Sequence, residues 1–92
     1  DALEDRIRAL IQANPELAGV VIDLEGVNFI DSQGSATLDD ILVLCDQADV
    51  TLRLARMKPG VRVVLDREGF IARLGSDHIH GNVHGAVEVQ SG

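Results

Sequence analysis

The chain has 92 residues and a formal net charge of -7 at pH 7, with 15 acidic residues against 8 basic ones. Its length predicts one small domain, and its hydrophobic fraction of 46% argues against a disordered chain. The acidic balance and the 2% aromatic content disfavour nucleic acid or an anionic membrane surface as the main partner.

The first half of the chain predicts a helix, a strand and a second helix. Apolar residues at helical spacing predict a first helix that ends at Asn14 and Pro15. The β-branched run at residues 20–24 lies between glycines and predicts a strand that is buried on both faces. Four apolar residues then recur at the spacing of an amphipathic helix: Leu38, Ile41, Leu42 and Cys45.

The second half predicts two more strands and two more helices. The alternating segment at residues 50–57 predicts a second strand. Pro59 suits the first turn of a third helix, and Gly69 suits its end. A short third strand is predicted within residues 77–83, and a weak final helix at residues 83–89.

Strands that alternate with helices predict an α/β fold with a mostly parallel sheet and helices packed about it. The first predicted element is a helix, and no predicted strand comes before it. A sheet of two or three strands is thin, so the strand at residues 20–24 is expected to have an unpaired edge. We therefore expect residues 1–92 to be one domain that is incomplete at its N-terminal side.

The segment "NFIDSQGSATL", residues 28–38, lies between the first strand and the second helix. Open α/β sheets place their sites just beyond the carboxyl ends of strands. Asp31 and Ser32 are both strong N-cap residues, and Gly34 leaves room for another backbone or a ligand. A helix start also favours a phosphate group. The segment therefore predicts either a helix cap alone or a helix cap that also serves a partner.

Four segments together resemble a STAS domain: "VVIDLEGVNFIDSQG", "SATLDDILVL", "VTLRLARMKPGVRVVLDREGF" and "DHIHGNVHGAVE". This fold is shared by bacterial anti-anti-sigma factors and by the cytoplasmic tails of SulP-type anion transporters. The resemblance extends from Asp1 to about Val89, and the second half of the chain is more similar to the transporter tails. It implies an anti-anti-sigma-like α/β fold for the domain at 1–92, in which the family's N-terminal strand hairpin is absent.

The resemblance also bears on phosphorylation. In anti-anti-sigma factors, the third position of the Asp-Ser-Ser/Thr-Gly motif is the hydroxyl that a partner kinase phosphorylates. Gln33 stands at that position here, and glutamine cannot accept a phosphoryl group. Ser32 and Ser35 carry hydroxyls but do not match the acceptor position. Many transporter tails also lack the acceptor, so Gln33 favours the transporter branch.

The resemblance implies a non-enzymatic regulatory and protein-interaction domain of a SulP-family sulfate or related anion transporter. Its partner-facing loop would be Asp31, Ser32, Gln33 and Gly34. The expected partners are the membrane domain of the same transporter and a cytosolic regulatory protein, and the full-length parent is expected to be a dimer. The expected location is the cytoplasmic side of the plasma membrane, with the 92 residues themselves soluble. The alternative is a free-standing anti-sigma factor antagonist that binds a kinase-like partner.

Arg56, Lys58 and Arg62 lie close together in an otherwise acidic sequence. They predict either a solvated turn, in which the aliphatic parts of these long side chains cover apolar surface, or a docking patch. Some family members have been proposed to bind nucleotides, which would make Ser35, Lys58 and Arg62 anion, nucleotide or docking contacts. The sequence has no glycine-rich phosphate loop of the P-loop kind, and we expect no cofactor.

Other chemistry finds less support in the sequence. His78 and His80 have the spacing of a strand-borne zinc site, but no cysteine or carboxylate completes the ligand set, and we expect surface histidines there and at His84. "DSQG" is not a nucleophile elbow, which disfavours a serine hydrolase. Asp23 resembles the phosphoacceptor of a receiver domain, but we expect it to find backbone partners at the end of the sheet.

Overall fold

A parallel sheet of three short strands lies at the centre of the fold. The structure is a computed structural model that describes residues 1–91, so Gly92, the last residue of the predicted domain, lies outside the described residues. The elements in chain order are α1 (Ala2–Ala13), β1 (Gly19–Asp23), α2 (Ser32–Gln47), β2 (Thr51–Ala55), α3 (Pro59–Arg67), α4 (Phe70–Leu74), a 3-10 turn (Ser76–His78), β3 (Ile79–His80) and α5 (Val83–Ser91). The predicted alternation of helices and strands is confirmed, with α4 and the 3-10 turn as two elements between α3 and β3 that the sequence did not predict.

The strand order is β1-β2-β3, and both pairings are parallel. Val20 pairs with Leu52, and Leu54 is paired with Ile22 on one side and with Ile79 on the other. The prediction of an α/β fold with a parallel sheet is therefore confirmed. The carboxyl ends of β1 and β2 lie side by side, which brings the β1–α2 and β2–α3 loops together.

Two layers of helix cover the two faces of the sheet. Leu52 and Leu54 point to the face that carries α2, and they are 2% and 0% exposed. The intervening Arg53 points to the opposite face, where its Nε donates to Oε1 of Gln90 in α5 at 3.1 Å. The apolar cluster is aliphatic apart from Phe70 and Cys45, both fully buried. The apolar face predicted for the second helix, which includes Cys45, lies in this core, so that prediction is confirmed.

Local signals explain where the helices begin and end. Asn14 is the C-cap of α1, and Pro59 occupies the first turn of α3, as the sequence predicts. Gly69 has a left-handed φ of 81°, which separates α3 from the short helix α4. None of the helices within residues 1–91 is long and apolar enough to cross a lipid bilayer.

β1 is one of the two edge strands of the described sheet, and its first apolar residues are less buried than predicted. Within residues 1–91 it pairs with β2 alone, and no strand precedes α1. Ile22 is buried, but Val20 and Val21 are only half-buried. The prediction that this strand is buried on both faces is wrong for its first half, because nothing in the described residues covers its outer edge. A groove of about 260 Å³ lies between α1 and β1.

Candidate functional site

The candidate site begins at Asp31, which caps α2. Its backbone is extended, with φ -114° and ψ -175°, and its Oδ1 accepts a hydrogen bond from the amide of Gly34 at 2.9 Å. Its carbonyl accepts the amide of Ser35 at 2.9 Å. These bonds satisfy donors that the first turn of a helix would otherwise leave unpaired. The prediction that Asp31 starts the helix is confirmed.

Gly34 is packed against the loop before it. A Cβ built at Gly34 would come within 2.7 Å of Cγ1 of Ile30, a distance that real Cβ atoms do not show. The space beside this glycine is therefore filled by an apolar side chain of the same chain. The prediction that Gly34 leaves room for another backbone or a ligand is wrong, because the side chain of Ile30 occupies that space.

Ser32 ties the start of α2 to the end of α3. Its Oγ donates to Oε1 of Glu68 at 2.8 Å, and Glu68 is the C-cap residue of α3. The side chain of Gln33, the next residue, is exposed, and its carbonyl accepts the Thr37 hydroxyl at 3.1 Å. Gln33 therefore presents a neutral amide on the surface where the resemblance would place a phosphorylated hydroxyl.

Lys58 holds the β1–α2 loop from the other side. Its Nζ donates to the Asn28 side-chain oxygen at 2.6 Å and also contacts the carbonyl of Glu25. Two oxygen atoms of the β1–α2 loop therefore accept hydrogen bonds from the Lys58 ammonium group. The sequence places Lys58 as an anion, nucleotide or docking contact, and the structure places it as a brace for the loop that leads to Asp31.

Arg56 binds the last residue of β1, Asp23, in a similar way. Its Nε donates to Oδ1 of Asp23 at 3.0 Å, and its NH2 group forms an ion pair with the same carboxylate. The hydrogen bond from Arg56, with a second from the Glu25 amide, lowers the pKa of Asp23 below its usual value. Asp23 thus has a backbone partner at the end of the sheet, as expected, but its main partner is the guanidinium of Arg56, which the sequence did not indicate.

The remaining predicted contacts lie apart from the exposed helix start. Ser35 is 2% exposed on the core side of α2, and its hydroxyl has no hydrogen-bond partner within the described residues. Arg62 is exposed on α3. The structure therefore places Asp31, Ser32 and Gln33 at the exposed helix start and Lys58 against Asn28 earlier in the loop, and it turns Ser35 inward.

The histidines are distributed over three elements. His78 lies in the 3-10 turn, and His80 lies in β3 with its Nε2 3.2 Å from NH1 of Arg53. His84 faces Glu88 one turn along α5, at 2.9 Å. Within residues 1–91, no cluster of three or more histidine, cysteine or acidic residues has the geometry to hold a metal ion.

Phe29 is the surface feature that the sequence analysis missed. It is 78% exposed in the β1–α2 loop, whereas Phe70, the other aromatic residue, is fully buried. A signal was present in the sequence, since one of only two aromatic residues falls in a predicted loop beside the motif. Glu68 was missed as well, because nothing local to it indicates that it meets Ser32.

The comparison with protein families decides the assignment. The model of the STAS domain family matches residues 1–86. The chain belongs to the STAS domain family. The resemblance drawn from the four sequence segments is thereby confirmed. No match was found among curated proteins.

Three solved structures have the same fold as this chain. A sulfate transporter family protein from Wolinella succinogenes is 21% identical, with a TM-score of 0.83 over 98% of this chain and 75% of that one. The STAS domain of a Vibrio cholerae SulP transporter is 16% identical, with a TM-score of 0.83 over 99% of this chain and 76% of that one. The murine Slc26a9 anion transporter is 18% identical, with a TM-score of 0.76 over 96% of this chain and 15% of that one. These TM-scores establish a shared fold.

Proposed function

We propose that this STAS domain is the cytoplasmic regulatory and protein-interaction domain of a SulP-family sulfate or related anion transporter. The observation that carries the proposal is the match over 98–99% of the chain to a sulfate transporter family protein and a SulP transporter STAS domain. The domain would lie at the cytoplasmic side of the plasma membrane and bind the membrane part of the same transporter, within a dimeric parent. Transport itself would belong to that membrane part.

The loop geometry supports an interaction role. Asp31 caps α2 and Ser32 bonds Glu68, so both side chains hold the helix start in a fixed position against the rest of the domain. Gln33 offers an exposed amide that can donate and accept hydrogen bonds to a partner. The exposed helix start, Asp31 to Gln33, is therefore proposed as a partner-facing surface.

Gln33 also distinguishes this proposal from a free-standing anti-sigma factor antagonist. The family's switch needs a hydroxyl at this position, and an amide cannot form a phosphate ester. The switch-based alternative therefore finds no chemical support at its own site. Nucleotide binding finds little support as well, because the Lys58 ammonium is already bound by protein oxygens.

The parent reading frame tests the proposal. We expect ten or more apolar segments, each long enough to span a bilayer, to precede Asp1 in the encoded protein. Uptake of radiolabelled sulfate or a related anion by cells that express the parent should then fall when residues 1–92 are deleted. A parent protein of about one STAS domain in length would contradict the proposal.

A further inference from the structure

The guanidinium of Arg53 connects the middle strand of the sheet to three other elements. Its Nε donates to Oε1 of Gln90 in α5 at 3.1 Å, and its NH1 donates to the carbonyl oxygen of Asp77 in the 3-10 turn at 3.4 Å. NH1 also lies 3.2 Å from Nε2 of His80 in β3. Within residues 1–91, Arg53 forms no ion pair with a carboxylate. Arg53 is therefore a half-buried cation that neutral groups from three elements hold in place.

The contact between Arg53 and His80 fixes the protonation state of the imidazole. A guanidinium keeps its charge in proteins, and all of its N–H groups are donors. Nε2 of His80 must therefore supply the lone pair of this hydrogen bond. The fold thus contains a neutral His80 whose ring proton is on Nδ1.

Protonation of His80 and this hydrogen bond exclude each other. A proton on Nε2 turns the acceptor into a second donor, and the imidazolium then lies against the guanidinium of Arg53 as a like charge. Both side chains are half-buried, so salt and water screen this repulsion less than at an exposed site. An ordinary histidine takes up its proton near about pH 6.5. Acid therefore favours conformations in which His80 and Arg53 have moved apart.

The surroundings of β3 supply no counter-charge to a protonated His80. The charged and titratable groups on the elements around this strand are Arg53 in β2, Asp77 and His78 in the 3-10 turn, His84 and Glu88 in α5, and Asp23 and Arg56 at the ends of β1 and β2. The two groups at the strand ends form the ion pair described above. His78 lines a cavity on the α2 side of the sheet, opposite to Arg53. Among the described residues, no carboxylate forms an ion pair with His80.

The two acids nearest to β3 in the chain are directed elsewhere. Oδ1 of Asp77 lies beside Gly75, 3.0 Å from the position that a Cβ of residue 75 would take. Glu88 pairs with His84 at 2.9 Å, and 68% of the Glu88 side chain is exposed. Neither carboxylate therefore offsets the repulsion between a protonated His80 and Arg53.

The same guanidinium holds α5 against the sheet. α5 covers the face opposite α2, where Ala86 is fully buried and the Gln90 side chain lies against Gly19. The bond from Arg53 to Gln90 joins this helix to the middle strand. Because one guanidinium binds α5 and β3 at once, a displacement of Arg53 away from His80 also strains its bond to α5.

We infer that Arg53, His80 and Gln90 form an acid-sensitive latch, which holds α5 on the sheet at neutral pH and loosens it as the pH falls. At neutral pH, the imidazole accepts the hydrogen bond from Arg53. As the pH falls through the range in which histidine gains its proton, this bond is lost and α5 opens more often. The latch needs no partner, so it is independent of the proposed function.

Hydrogen exchange of α5, measured by mass spectrometry in the full-length parent, tests the latch. Wild type is compared with His80→Gln, because the glutamine oxygen can accept from Arg53 and does not titrate. Dividing each wild-type rate by the His80→Gln rate at the same pH removes the intrinsic pH dependence of exchange. We expect this ratio to rise about fivefold from about pH 7.5 to about pH 5.5, as loss of one hydrogen bond predicts. A ratio that does not change with pH would overturn the inference.

His84→Gln is the matched control, because it removes an exposed histidine from α5 itself. We expect this variant to keep the pH dependence of wild type. If the pH dependence disappears in His84→Gln, the inference is wrong, because the exposed pair with Glu88 is then the sensor.

The tautomer of His80 gives a second test that uses the wild type alone. In protein labelled with 15N-histidine, we expect the nitrogen shifts at about pH 7.5 to place the ring proton of His80 on Nδ1. A proton on Nε2 would overturn the inference, because Nε2 could not then accept from Arg53.

Discussion

The guanidinium of Arg56 holds the carboxylate of Asp23 across the ends of two neighbouring parallel strands. Arg56 does so from a left-handed backbone conformation, with φ 55°, in which its amide also donates to the carbonyl of His80 at 3.0 Å. One residue thus joins the ends of all three strands. Non-glycine residues adopt this conformation at a cost, and Arg56 offsets it with long-range contacts.

Two substitutions of Arg56 distinguish the energetic cost of its left-handed backbone from the stabilisation that its ion pair with Asp23 contributes. Arg56→Ala loses the bond to Asp23 and keeps a side chain in the left-handed conformation, whereas Arg56→Gly loses the bond but relieves the backbone. We expect Arg56→Ala to unfold at a lower urea concentration than both wild type and Arg56→Gly. A urea midpoint for Arg56→Ala equal to or above that of Arg56→Gly would contradict the left-handed strain.

The Asp23–Arg56 contact predicts a specific pH dependence. The bond lowers the pKa of Asp23 in the folded state. The contact therefore stabilises the fold fully at a pH above the pKa of Asp23 in the unfolded chain, which is about 3.9. This stabilisation is lost as the pH falls through the lower pKa of the folded state. We expect Asp23→Asn to be less stable than wild type at pH 7, with the difference shrinking below about pH 4. Asp40→Asn, on the exposed face of α2, is the control. If the stability difference between wild type and Asp23→Asn is as large at pH 2 as at pH 7, it does not come from the ionised Asp23 carboxylate.

Two glycines give a matched test of packing at the start of α2. Gly34→Ala places a Cβ 2.7 Å from Ile30, so we expect the free energy of unfolding to fall by about 1 kcal/mol. Gly60→Ala adds a Cβ with no heavy atom within 4 Å, so we expect a gain of up to about 1 kcal/mol from helix propensity. Urea titration measures both values. If Gly34→Ala is at least as stable as wild type, the prediction is wrong, because the Ile30 side chain must then move aside without lowering the free energy of unfolding.

The open edge of β1 predicts self-association of residues 1–92. Ala18 and Leu24 bond β2 through their backbone groups, and alternation along a parallel strand directs the backbone of Val21 to the open edge. We expect the apparent mass in light scattering to rise with concentration, and Val21→Pro to suppress that rise, because proline is tolerated at outward edge positions. Val20→Pro should instead unfold the domain. A wild-type chain that stays monomeric at every concentration would contradict the prediction.

Gln33 predicts resistance to the family's kinases. Incubation of the domain with an anti-sigma kinase and ATP should leave its intact mass unchanged, because glutamine has no hydroxyl to phosphorylate. Gln33→Ser restores a hydroxyl at the family's acceptor position and is expected to gain one phosphate. Stoichiometric phosphorylation of the wild-type domain at Ser32 would contradict this prediction.

The order of the elements could be predicted because it depends on local sequence. Apolar spacing identifies α2, and Asp31 and Pro59 identify helix starts through bonds and geometry within a few residues. The burial of β1 could not be predicted, because the same β-branched residues suit a central strand and an edge strand. Only the number of neighbouring strands distinguishes them.

The side-chain contacts of the site depend on the tertiary fold. Ser32 meets Glu68 across 36 positions, and Arg56 meets Asp23 across 33. No local pattern indicates such pairs, since they form only where loops from different strands converge. Lys58 illustrates the effect on function, because its sequence neighbourhood indicates a free cation and its spatial neighbourhood supplies two oxygen acceptors.

The position of α5, after the three strands that it helps to cover, has a consequence for the timing of folding. This helix covers the second face of the sheet, where the Gln90 side chain lies against Gly19 and bonds Arg53. During synthesis β1 leaves the ribosome about sixty residues before α5, the helix that shields it. Until then, one face of the nascent sheet is open to water and to other chains. Both faces of the sheet are therefore covered only after α5 has left the ribosome.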